Sequence, residues 1–136
     1  MSNVAKGNRF EKEVKERLES QGFWVEQARP KRVGKRSIAH DFYECIDLIA
    51  IHPKKPMTYF IQCTTGAASP RRHKIDKVPW NYDAHNVQIW KKMKDGRIKT
   101  YMKLWGVWTH TIRGPLKVMP HLKRDRNHNA LKTANK

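Results

Sequence analysis

The sequence predicts an α/β domain with a mixed central β-sheet flanked by helices. Three observations carry this reading. The first twenty residues have helical periodicity. Apolar runs of strand length follow, separated by turn dipeptides. The elements then come in the order helix, strand, hairpin, helix, hairpin, which suits a layered α/β arrangement.

Each element has a local reason. Over residues 3–21, Val4, Phe10, Val14 and Leu18 recur at spacings that put them on or near one helix face, with Lys and Glu elsewhere. Gly22 is a natural stop. Phe23-Trp24-Val25 reads as a short strand, and the basic stretch from Pro30 to Ser37 as an exposed loop. Residues 42–52 end in the apolar run Leu48-Ile49-Ala50-Ile51. The breakers Pro53 and Pro56 then turn the chain, and Met57 to Cys63 returns as the partner strand, making a hairpin over 42–63. Ser69-Pro70 predicts a helix start, with Ser69 as N-cap and Pro70 in the first helical position. That helix stops before Pro79. Val87–Met93 and Ile98–Trp108 predict a second hairpin around Asp95-Gly96. From Thr111 onward periodicity is lost, so the domain is assigned residues 1–110 and a basic, flexible tail residues 111–136.

Composition narrows the partners. The chain has 136 residues, with 29 Lys+Arg against 12 Asp+Glu, a formal charge of +17. So much positive charge on a folded body points to a polyanion, and nucleic acid is the commonest. No stretch pairs a strong apolar face with a basic one, which argues against a membrane surface. No run of about 18 apolar residues predicts a membrane span, and the N-terminus lacks the apolar core of a signal peptide. Cys45 and Cys63 fall in apolar stretches and read as reduced core residues of an intracellular, cytoplasmic protein. Seven scattered His and two Cys do not suit a structural zinc site. Trp90, Trp105 and Trp108 are expected in the core or at a dimer interface. Trp80, in a loop, is a candidate to stack on an unpaired base.

Because acids are scarce, their positions are informative. Glu11 follows Phe10 near the buried edge of the first helix, whereas Glu13, Glu16 and Glu19 are expected to face solvent. Asp47 immediately precedes the buried run at Leu48, where a carboxylate is costly unless a metal or a donor satisfies it. Gln62 lies between Ile61 and Cys63, again polar inside an apolar run. On adjacent strands these two side chains would converge on one ion, and oxygen ligands suit Mg²⁺ or Mn²⁺. Asp41 is a further acid, six residues before Asp47; along an extended strand the two would stand ~20 Å apart, so a shared ion needs a bend between them.

Four short motifs now line up: Gly7-Asn8-Arg9-Phe10-Glu11, Gly22-Phe23-Trp24-Val25, Asp47-Leu48-Ile49-Ala50-Ile51 and Phe60-Ile61-Gln62-Cys63-Thr64. In order and spacing, over roughly residues 5–80, they resemble the PD-(D/E)XK nuclease superfamily, and most of all the archaeal-type Holliday junction resolvases. That resemblance implies a restriction-endonuclease-like fold and Mg²⁺- or Mn²⁺-dependent phosphodiester hydrolysis in DNA, branched DNA included. In the family a helix glutamate, an aspartate and an E-x-K pair hold one or two metals and orient the attacking water. Carried over, Glu11 is the helix acid, Asp47 the central metal ligand and Gln62 the second-acid position, its carbonyl oxygen still able to ligate. Thr64 stands where the lysine should be. Gln62-Cys63-Thr64, with Ser69, Arg71, Arg72, Lys74 and Ile75 after it, is similar to Q-x-T forms among phage and bacterial proteins. The missing cation would then come from Arg71, Arg72 or Lys74 on the following helix, with Lys74 as the catalytic candidate. The resemblance also implies a homodimer, since a junction presents two symmetric cuts, and an apolar patch on the second hairpin would serve it.

Lys6, Arg9, Arg29, Lys31, Arg32, Arg71, Arg72 and Lys74 are the expected nucleic-acid contacts. Two rival readings stand beside the enzyme. One is a catalytically inactive nucleic-acid-binding module of the same fold, favoured by the missing lysine. The other is a small basic ribonucleoprotein component.

Overall fold

In the computed structural model, residues 3–29, 31–38 and 41–114 are described. They form two helices, a six-stranded mixed sheet and a separate two-stranded ribbon. Helix α1 spans Asn3–Ser20. Phe10, Val14 and Leu18 line its buried face at intervals of four. Its end is a hydrogen-bonded cap: the Phe23 amide donates to the Leu18 carbonyl and the Gly22 amide to that of Glu19. Gly22 holds φ at +94°, and a Cβ there would meet His52 Nε2 at 3.0 Å, so glycine is required.

Strand β1 (Trp24–Gln27) is the sheet's first edge. β2 (Lys31–Val33) and β3 (Arg36–Ile38) make the small ribbon, in place of the loop expected over 30–37. β4 (Leu48–Ile51) and β5 (Thr58–Thr64) pair antiparallel as expected, Leu48 opposite Ile61. Residues 42–47, assigned to the same hairpin from sequence, do not continue the strand but fold back on themselves. The Phe42 amide donates to the Ile46 carbonyl and the Ile46 amide to that of Phe42, around Tyr43 and Glu44 at φ of 51° and 62°.

Helix α2 (Ser69–Asp76) crosses from β5 to the parallel strand β6 (His85–Lys92). Its N-cap is Ala68, with no side-chain hydrogen bond; Ser69 is the first helical residue rather than the cap. β7 (Ile98–Leu104) returns from β6 around Asp95-Gly96. The expected strand over 98–108 breaks in two: Trp105 and Gly106 turn the chain with positive φ at both positions, the geometry that matches strand twist in a two-residue hairpin. β8 (Val107–Arg113) follows, antiparallel to β7. The sheet therefore runs β1-β4-β5-β6-β7-β8, and it extends three residues past the domain boundary expected at 110. The basic stretch assigned to a tail lies, from residue 115 on, outside the described residues.

Each sheet face has its own core. On one face α1 packs with Phe10, Val14 and Leu18 over Leu48, Ala50, Ile61, Cys63, Trp90 and Ile98. On the other, Ile75 of α2 joins Ile46, Phe60, Val87, Ile89 and Tyr101. The alternation of these residues along β4, β5 and β6 is why the central strands read as continuous apolar runs. No helix among the described residues is long and apolar enough to cross a membrane. Cys45 and Cys63 are buried and unpaired. Trp90 is a core residue, whereas Trp105 is 82% exposed and belongs to neither core.

Phe10 is 1% exposed at the centre of the α1 contact. Phe10→Ala is expected to cost about 3–5 kcal/mol of unfolding free energy, measured by denaturant titration, while Ile51→Ala at the exposed end of β4 changes stability by about 0.5 kcal/mol or less. Thr100 Oγ1 is buried without a hydrogen-bond partner. Thr100→Val keeps the shape and removes that unmet hydroxyl, so it should be neutral or raise stability by about 1 kcal/mol in the same titration.

Candidate functional site

Asp47 closes the β4 end of the hairpin. Its amide donates to the Ile61 carbonyl and its carbonyl accepts from Ala28, which pins the residue between β1 and β5. With Leu48 opposite Ile61, the next antiparallel pair is Asp47 with Gln62, and facing residues share a sheet face. The side chains meet: Gln62 Nε2 donates to Asp47 Oδ2 at 2.8 Å, and the Cys63 amide donates to the same oxygen at 2.8 Å. Both residues are buried.

Two further carboxylates act on Asp47. Burial is the largest influence and pushes its carboxyl up to about 8; the Glu11 charge comes next, and Asp41 adds both its charge and a hydrogen bond, against the lowering effect of the Cys63 amide. Glu11, half-buried on α1, accepts from Gln27 Nε2 of β1 at 3.3 Å. Burial raises its carboxyl as well, with Asp41 adding to the rise and Gln27 opposing it. Asp41 reaches this cluster because the chain reverses at Tyr43-Glu44, which supplies the bend that an extended strand would have denied it. A chain with an excess of cations thus gathers three acids at one end of β4.

The acids are in electrostatic contact rather than arranged as a coordination shell. Among the described residues, no three His, Cys, Asp or Glu side chains are spaced to ligate one ion as they stand. The donor set itself suits a hard cation: a carboxylate raised by two neighbouring carboxylates, and an amide group beside it. Thiols do not compete for that role. Burial, then Asp41, pushes Cys45 up to about 11, and burial, then Asp47, raises Cys63 well above the usual thiol range.

The remaining expected residues divide. Thr64 is buried on β5, and its Oγ1 accepts from the Gly66 amide at 2.9 Å, closing the turn after the strand. Lys74 is exposed on α2, and its charge is felt at the Cys45 thiol, two residues before Asp47. Arg72, half-buried, lies over the Tyr101 ring at 5.4 Å, and Arg71 is half-buried on the same helix. Lys6 and Arg9 are exposed on α1, across the sheet from α2, and Arg29 is exposed just after β1. Lys31 and Arg32 lie on β2, and their side chains fall outside the described residues. Trp80 packs against Phe60, Tyr43 and His85 and donates its Nε1–H to the Ile75 carbonyl, so its ring and polar edge are both engaged. Sequence reading missed the lysines at the ends of β6 and β7. Lys91, Lys92 and Lys94 line an open cleft of about 530 Å³ with Thr65, Gly66, Met93 and Asp95. The run Lys91-Lys92, with Lys94 beside the Asp95-Gly96 turn, was the available signal.

Comparison with family models, with curated proteins and with solved structures returned no match.

The raised Asp47 carboxyl makes stability depend on pH. The folded chain holds this proton at pH values where the unfolded chain, at an ordinary 3.8, has lost it. The stability so contributed is full below about pH 4 and is lost as pH rises through about 8. In chelator-containing buffer, the wild-type denaturation midpoint is expected to fall from about pH 5 to about pH 9. Asp47→Asn, which has no carboxyl to ionise, should show a clearly shallower fall. Equal slopes in the two proteins would contradict the assignment.

Proposed function

We propose that this chain is a metal-dependent nuclease-like domain that hydrolyses phosphodiester bonds in DNA. The observation that carries the reading is the meeting of Asp47 and Gln62 on adjacent strands, with Glu11 and Asp41 in electrostatic contact. The reading is supported by a helix acid, a strand aspartate and the Gln62-Cys63-Thr64 strand lying near one another on a mixed sheet with a helix on each face.

In this reading Glu11, Asp47 and the Gln62 carbonyl oxygen would hold Mg²⁺ or Mn²⁺, with Asp41 beside them. The cation, when bound, would offset the negative charge developing on the phosphate. The protein's own residues do the rest. The β4–β5 pairing fixes Asp47 and Gln62 relative to each other. Gln27 orients Glu11 through its amide. Lys74, on the helix after the motif strand, takes the cationic role that Thr64 cannot fill, its charge already reaching Cys45. In the reaction, a water oxygen bonds to phosphorus and gives up a proton, the bond to the leaving sugar oxygen breaks, and that oxygen takes a proton.

A second reading has specific support: a DNA-binding module that does not cut. Gln62 Nε2 already donates to Asp47, and Thr64 Oγ1 already accepts from the Gly66 amide. A nicking assay on branched and linear DNA with Mg²⁺ or Mn²⁺ separates the two. The enzyme reading expects metal-dependent cutting that Asp47→Ala reduces by about two orders of magnitude or more. Binding that weakens with salt, without cutting, selects the module. Preference for ribosomal RNA over branched DNA would reject both.

A further inference from the structure

Several cations on β6 and β7 have acidic partners, and several do not. Lys92 pairs with Glu13 at 3.0 Å, Lys103 with Asp76 at 2.6 Å and Arg97 with Asp95 at 2.7 Å. Lys91 and Lys99 have no such ion pair among the described residues, and they stand directly opposite each other across β6 and β7. Like charges at facing positions repel and destabilise the pairing. Arg72 joins them from α2: its guanidinium and the Lys99 ammonium both lie over the Tyr101 ring, at 5.4 and 5.1 Å. Three cations therefore crowd one sheet face beside α2.

This cluster borders the candidate site. Lys91 is the register partner of Thr64 on the parallel strand β5. With ~3.3 Å per residue and ~4.8 Å between strands, the Lys91 Cα lies about 8 Å from that of Gln62. Lys91 also lines the open cleft with Lys92 and Lys94. Asp95, the one acid on that cleft, is already engaged by the Arg97 side chain and amide. What remains is an uncompensated positive strip running from the end of β5, across β6, to β7.

We propose that Lys91 and Lys99, with Arg72 and Lys94, seat the phosphodiester backbone of the nucleic acid that the Asp47 site would act on. The inference rests on the nuclease-like reading for its choice of polyanion and adds the contacts on the far side of the site. One phosphate at each of the facing lysines offsets their repulsion with two attractions and releases counterions. The row along Thr64, Lys91 and Lys99 gives the backbone a direction, across the strands and away from Gln62.

The test is the salt dependence of binding, read by fluorescence anisotropy with labelled duplex and single-stranded DNA. Each phosphate contact contributes about 0.9 to the slope of log K against log salt for a duplex and about 0.7 for a single strand. K91A/K99A should therefore flatten the slope by about 1.8 on a duplex, or about 1.4 on a single strand, which also tells the two substrates apart. K54A/K55A, the same charge removed from the β4–β5 turn, should leave it unchanged. K91Q/K99Q keeps more of each side chain's stem, including that of Lys99 over Tyr101, and should behave as K91A/K99A does. Without DNA, Lys91→Ala should raise the denaturation midpoint, because it removes the facing like charge. An unchanged slope in a wild-type background that binds DNA overturns this assignment and leaves the nuclease-like reading standing. Equal losses in K91A/K99A and K54A/K55A also overturn it, since charge alone would then be the cause. A wild-type chain that binds neither probe overturns both.

Discussion

The site depends on the cost of burying the Asp47 carboxyl. A carboxylate removed from water must find donors or keep its proton, and here it does both in part. Gln62 Nε2 and the Cys63 amide converge on a single oxygen, and the acid still titrates near 8. Those donors are available only in one strand register. Leu48 and Ala50 of β4, with Ile61 and Cys63 of β5, must point to α1 for that core to close. The pairing then sets Asp47 opposite Gln62, where their side chains meet. A slip of one residue would expose the apolar set and separate the pair. The same apolar pattern thus fixes the core and the polar site.

Asp41 enters by a different route, and it carries a conformational cost. Tyr43 and Glu44 both occupy the left-handed region, where residues with a Cβ are disfavoured. Reciprocal backbone hydrogen bonds between Phe42 and Ile46 hold the reversal. The Tyr43 ring, 61% exposed, rests on Phe60 and meets the edge of Trp80. Backbone pairing and aromatic contact together offset the strain. The product is a second carboxylate against the first, an arrangement with no evident benefit to stability, since Asp41 adds to the rise of the Asp47 carboxyl.

The sequence made the regular parts legible and the reversals illegible, for a physical reason. Phe10, Val14 and Leu18 announce α1, and the runs at Leu48–Ile51 and Phe60–Cys63 announce the central strands, because burial acts on residue type directly. Asp47 and Gln62 stood out because they interrupt those runs. The bends at Tyr43-Glu44 and Trp105-Gly106 left little trace: three of their four residues carry none of the Gly, Asn, Asp or Pro chemistry that marks a turn. Tertiary contacts set the bend at Tyr43, so it could not be read from neighbours in the chain. Missing it placed Asp41 ~20 Å from Asp47 on the extended-strand estimate. The lysines of β6 and β7 were hidden differently. Their identity was plain, but their confrontation comes from strand register, which hairpin length alone did not fix once β7 and β8 were read as one strand.

Charge unites these features. A body of +17 attracts phosphates over a distance comparable to the Debye length, yet a phosphodiester arriving beside Gln62 meets Glu11, Asp41 and Asp47. That last approach is repulsive unless the acids are neutralised. Protons can do so in part, and the raised carboxyl of Asp47 shows how strongly the site favours them. A divalent cation would do so more fully, and would ionise the same carboxyl by offering it a stronger partner than a proton. In the proposed function, proton and cation would therefore compete for one position, while the lysine strip would supply the attraction that brings the polyanion near. In the proposed function the acids and the lysines have separate work: the lysines hold the backbone, and the acids set the local charge at the bond to be broken.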